Sequence, residues 1–95
     1  MPHFVVTCLD HSGALEKRLA NRPVHLAHLN GHPETVKLAG PLLDGAGDPC
    51  GSLLILEAES LAAARAFAES DPFNAAGVFA SIEVRPMRVT VGGLA

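Results

Sequence analysis

Between Leu15 and His32 the sequence sets Arg18, Arg22, His25, His28 and His32 among leucines and alanines. Imidazole titrates near neutral pH, so a histidine beside a buried surface can move protons or hold a metal. At about 100° per residue, Leu15, Leu19, Leu26 and Leu29 form one stripe of a helix; Arg22 falls inside it, and Arg18 and His25 lie on its margin. Burying a lone guanidinium is costly, so Arg22 is expected to meet a carboxylate, helix-end carbonyls or an anionic ligand. A structural ion pair, or a side chain reaching out to water, accounts for Arg22 as well as a ligand does, and is the plainer account of Arg18. For His25 taken alone, the plainer account is a satisfied histidine at the core boundary.

The i, i+3, i+7 spacing of His25, His28 and His32 would bring three imidazoles near one helical face. Against a metal, Gly31 should end the helix before His32, no carboxylate stands at helical spacing beside them, and the glutamate of a His-Glu-x-x-His motif is missing. No metal and no cofactor are expected. An activated nucleophile has no support either: there is no Gly-x-Ser-x-Gly elbow, and Cys8 and Cys50 have neither C-x-x-C spacing nor an activating partner. Asp71 has a structural explanation of its own, as the cap of a one-turn helix with Pro72 in its first position and Gly77 at its end. Gly40, Pro41 and Gly51 need nothing beyond strand irregularity, although glycine also lets a ligand approach the backbone closely.

The elements that must position these residues follow from pattern. His3 to Leu9 is β-branched and aromatic and stops at Asp10-His11-Ser12-Gly13, a strand and its turn. Helical spacing runs from Ala14 to Asn30-Gly31; Pro23 removes an amide donor and crowds the Leu19 carbonyl, which predicts a kink or restart near Asn21-Arg22. Thr35 to Leu43 reads as a second strand, and Pro41, which cannot donate to a ladder, puts it at the sheet edge. Turn formers from Asp44 to Pro49 join it in a hairpin to Gly51 to Glu57. Ser60 caps an alanine-rich helix over Leu61 to Glu69, and Val78 to Arg85 is the final strand, reaching toward Val89 past Pro86.

The order β-α-β-β-α-β predicts an α+β, ferredoxin-like antiparallel sheet with both helices on one face. Leu53, Leu54, Ile55 and Leu56 are apolar in succession, so both faces of that strand avoid water while the helices cover one. The other face is expected to meet its own copy, giving a homodimer through the sheet face. Cys8 and Cys50, assigned to parallel central strands, would lie about 13 Å apart at ~3.3 Å per residue, too far for a disulfide. Both are expected to be free, buried thiols.

Composition bounds the rest. Ninety-five residues make a single domain, 1–95, and 48% hydrophobic against 18% charged residues exclude intrinsic disorder. Seven Lys and Arg against ten Asp and Glu leave a charge of −3 with no basic stripe, so no nucleic-acid partner is expected. No apolar run approaches the roughly 18 residues of a membrane span, and Met1-Pro2-His3-Phe4 does not read as a signal peptide. The expectation is a cytoplasmic protein with no membrane partner.

Several separated segments together resemble the YciI-like (YCII-related) proteins. They are Leu15 to Ala20, Arg22-Pro23-Val24-His25-Leu26-Ala27-His28-Leu29, Ala39-Gly40-Pro41-Leu42, Gly51-Ser52-Leu53, Glu59-Ser60-Leu61, and Asp71-Pro72-Phe73 through Ala76-Gly77. The resemblance spans about Phe4 to Arg88. It implies a dimeric α+β barrel fold and a pairing that composition could not supply: His25 and Asp71 would form a His-Asp dyad in a cleft. It further implies that Arg18, Arg22, Gly40 and Pro41 line the place where a small anionic molecule binds. His28 stands where relatives vary, and the short turn from Gly45 to Pro49 replaces longer loops in some members. In such a dyad the aspartate fixes the imidazole tautomer and leaves the other ring nitrogen to accept a proton. The implied chemistry is proton transfer beside a carbonyl, of lyase or isomerase type, dehydrochlorination included. The alternative is a non-catalytic ligand-binding or partner module on the same scaffold.

Overall fold

The computed structural model describes residues 1–93. Strand β1 (His3–Asp10) turns at Gly13, which holds a φ of +78°, into helix α1 (Leu15–Asn30). The hairpin β2 (Val36–Leu43) and β3 (Pro49–Glu57) follows, then α2 (Leu61–Glu69), the single turn α3 (Pro72–Ala75) and β4 (Phe79–Met87). The strands line up in the order β2-β3-β1-β4, each antiparallel to its neighbours, and Pro41 lies on the outermost strand as expected.

One expectation is corrected: β1 and β3 run antiparallel, not parallel. The α1 crossover makes β2 parallel to β1, and the hairpin then reverses the chain, so β3 enters between them running against both. Cys8 consequently faces Ser52 across the ladder. Both thiols are free, but only Cys8 is buried; Cys50 is half-buried. Burial, reinforced by the negative charge of Asp71, pushes the Cys8 thiol up to about 12, so it stays protonated and inert. The restart expected near Pro23 is absent: α1 continues as one helix from Leu15 to Asn30 with Pro23 inside it. Pro23 is exposed, so water can satisfy the Leu19 carbonyl that loses its amide partner.

Alternation along the strands divides the sheet into two faces. Phe4, Val6 and Cys8 oppose Leu56, Leu54 and Ser52 on the helix side, where they pack with Leu29, Ala64, Ala68 and Phe73. Alanines at 64 and 68 lie one helical turn apart and let α2 approach the sheet closely. The other face carries Val5, Leu9, Leu53 and Ile55, with Leu38 and Leu42 from β2, and Leu9 and Leu38 are 51% and 46% exposed.

Gly51 sits at a crossing with no room for a side chain: a Cβ there would lie 2.5 Å from the Cys8 carbonyl oxygen and 3.2 Å from Leu42 Cδ1. Because the nearer atom is backbone, the ladder itself must give way. Gly51→Ala is expected to destabilise the fold by about 1–3 kcal/mol, read as a lower denaturant midpoint at unchanged slope.

Candidate functional site

The inward face of α1 is made by Arg18, His25 and Leu29. Arg22, expected within the buried stripe, is exposed, and Leu19 is 52% exposed. The helix is rotated from the leucine stripe because partners outside it neutralise its polar residues, which a helical wheel cannot register.

For Arg18 those partners are Asp10 and Ser52. Its Nε and Nη2 donate to the two Asp10 carboxylate oxygens at 2.7 and 3.0 Å, and Nη2 also donates to Ser52 Oγ at 2.8 Å. All three side chains project from the helix side of the sheet or the facing surface of α1, since Asp10 follows Cys8 by two positions and Ser52 stands opposite Cys8. Arg18 Nη1 has no partner among the described residues. No fully buried side-chain nitrogen or oxygen there is left unsatisfied, so Nη1 reaches the cavity that Arg18 lines.

For His25 the partner is Asp71. Asp71 Oδ1 accepts from His25 Nδ1 at 2.8 Å and from the Phe73 amide at 2.9 Å. The cap of α3 and the orientation of the imidazole therefore share one oxygen. Phe73, fully buried, lies against the imidazole with ring centroids 3.9 Å apart and 14° between planes, and the Arg18 guanidinium carbon sits 4.5 Å from the same ring centroid. An Nδ1–H donated to a carboxylate leaves Nε2 as the basic nitrogen. Nε2 has no protein partner among the described residues and, by the same reasoning as Arg18 Nη1, opens on the cavity.

That cavity, about 220 Å³, lies between α1 and the β2–β3 edge. Arg18, Arg22, His25, Gly40 and Pro41 all line it, with Phe73 and Leu26. Asp71 does not; it stands behind the imidazole. A larger depression of about 550 Å³ between Met1–His3 and Pro86–Val89 shares no residue with it. Asp10, Ser52 and Phe73 were not singled out from sequence. A usable signal existed for Asp10: strand alternation from Val6 and Cys8 aims it inward, where a carboxylate requires a cation.

His28 and His32 form a separate group around Phe67. His28 stacks on Phe67 at 5.1 Å, His32 Nδ1 donates to the His28 carbonyl at 2.8 Å, and the two imidazoles are 5.0 Å apart. Among the described residues no three His, Cys, Asp or Glu side chains are arranged to hold a metal ion. Burial chiefly lowers the His28 pKa, with His32 and His25 adding to the effect and Asp71 opposing it. A depressed folded-state value means that the unfolded chain takes up this proton first. The His28 contribution to stability is thus complete above the unfolded value of about 6.5 and is lost as pH falls through the folded value. Melting temperature is expected to drop on acidification across this window, and His28→Gln should flatten the slope; an unchanged slope would reject the assignment.

A family model for the YCII-related domain matches residues 3–88. Protein YciI of Escherichia coli O6:H1 is 42% identical over 93 residues, covering 90% of this chain and 95% of that one. A protein of Haemophilus influenzae is 33% identical over 98 residues, covering 90% of this chain and 96% of the other. Among solved structures, 5-chloro-2-hydroxyhydroquinone dehydrochlorinase (TftG) from Burkholderia phenoliruptrix AC1100, in complex with 2,5-dihydroxybenzoquinone, superposes with a TM-score of 0.82 at 36% identity over 95% of both chains.

Proposed function

The chain belongs to the YCII-related domain family, and from that premise and the geometry around His25 we propose that it is a small acid/base enzyme acting on an anionic, hydroxylated single ring. The observation that carries this reading is the 2.8 Å contact between His25 Nδ1 and Asp71, which leaves Nε2 basic at the wall of a cavity. A cavity of 150 Å³ admits benzene, so about 220 Å³ suits one substituted ring. Arg22, exposed at the rim, draws in and orients the anion, while Arg18 offers Nη1 alone because its bidentate edge is occupied by Asp10. Gly40 and Pro41 supply the opposite wall.

A substrate like that of the dehydrochlorinase loses HCl overall. One hydroxyl proton passes through His25 to the ring carbon that bears chlorine. The carbon–chlorine bond then breaks with chloride keeping the electron pair, a second hydroxyl proton leaves, and the ring becomes a quinone. No electrons are exchanged with an outside partner, and the dyad handles both protons. The test is chloride release from 5-chloro-2-hydroxyhydroquinone beside calorimetric binding of 2,5-dihydroxybenzoquinone. Binding with turnover supports the reading, binding without turnover favours a ligand-binding module, and neither overturns it.

The second part of the proposal is a homodimer through the exposed sheet face. Its support is the apolar set Val5, Leu9, Leu38, Leu53 and Ile55, which the helices leave uncovered. Light scattering on the eluting protein should give twice 9.9 kDa, and Leu9→Lys should return it to that single mass.

A further inference from the structure

We propose that the site continues past its single-ring cavity into a second compartment that takes an apolar substituent of the ligand. This rests on the reading of His25 as the reacting end. A second cavity of about 300 Å³ lies between the C-terminal half of α1 and β2, and it shares Leu26, Leu29 and Ala39 with the first. Ala39 stands opposite Leu54 in the ladder, which puts its side chain on the helix side, and it is exposed there. A methyl group at the junction leaves the two spaces joined; a larger side chain would part them.

The charges decide what the second space accepts. Its one ionisable lining side chain, Lys37, is matched already: Nζ lies 3.3 Å from Glu57 and donates to the Pro33 carbonyl at 3.4 Å. Among the described residues the far compartment thus has no free cation to recruit an anionic group; its one other polar side chain is the exposed, uncharged Asn30, and the rest of its walls are apolar, Leu26, Leu29, Pro33 and Val36 among them. The near compartment has Arg22 and Arg18 Nη1. A ligand matching both is amphipathic, with an acidic hydroxylated ring at His25 and an alkyl or second-ring substituent directed toward Pro33.

Burying a methylene is worth about 0.8 kcal/mol, or about fourfold in Kd. Calorimetry with 2,5-dihydroxybenzoquinone and its 3-alkyl derivatives, methyl through pentyl, should show that gain for each of the first few carbons. In Val36→Phe, which narrows the second compartment from a position outside the first, the unsubstituted quinone should bind within about twofold of the parent protein while the gain disappears; Pro33→Phe, likewise outside the first cavity, replaces it if phenylalanine at 36 disturbs folding. Alkyl derivatives that bind no better than the unsubstituted quinone would overturn the second compartment and leave the ring site standing. An alkyl gain that survives both the Val36 and the Pro33 variant would also overturn it. If the unsubstituted quinone itself fails to bind, the single-ring reading falls separately.

Discussion

Turnover in His25→Ala is expected to fall by roughly a hundred- to ten-thousand-fold, the range by which a positioned acid or base accelerates proton transfer. No other described side chain lining the cavity can replace it: Arg18 and Arg22 have no acceptor nitrogen, and the remaining walls are apolar. Because alanine also empties the stack on Phe73, the sharper variant is Asp71→Asn. Asparagine still caps α3, and its oxygen can still accept from Phe73 and His25, so folding and the imidazole position should persist. What it lacks is the negative charge that stabilises the imidazolium formed during turnover. A rate loss in Asp71→Asn, with quinone affinity little changed, would place the effect in the reaction rather than in binding. Undiminished turnover in either variant would reject the acid/base role.

How far the sequence could be read depended on whether the deciding interaction was local. Turn and cap residues act on their own neighbours, so Ser60, Asp71 and Gly77 marked their elements directly, and Pro41 marked an edge strand because it cannot join a ladder on both sides. The element order β-α-β-β-α-β carried the fold class and the central place of β1 and β3, while the direction of β3 relative to β1 differs from expectation because the hairpin's reversal reaches the middle of the sheet. The inner face of α1 was misjudged for a different reason. Leucines looked like its core, yet Arg18 and His25 are buried there because Asp10, Ser52 and Asp71 come from distant strands and a helix cap. The meeting of His25 with Asp71 was available only through family resemblance, since nothing within either segment points to the other.

The buried ion pair beneath the cavity should be the costliest to cut from one side. Arg18 and Asp10 side chains are each 5% exposed, and Asp10 meets the guanidinium at both oxygens. Asp10→Ala leaves that cation in a nearly dry setting with only Ser52 and the Phe73 ring to stabilise it. Breaking such a pair typically costs about 3–5 kcal/mol, a third or more of the stability of many domains of this size, and the melting temperature should fall by roughly 12 °C or more. Removing the stranded charge as well, in Asp10→Ala with Arg18→Met, should recover much of that loss, because an apolar side chain of similar length needs no counter-ion. If the double variant is as unstable as the single one, the deficit lies in lost packing around Phe73 rather than in the uncompensated guanidinium. The same pair of variants bears on the site: with Arg18 gone, the cavity loses Nη1 and keeps Arg22. A recovered fold that still binds the quinone, several-fold more weakly, would therefore divide the arginines, Arg18 anchoring β1 and β3 to α1 and Arg22 holding the ligand.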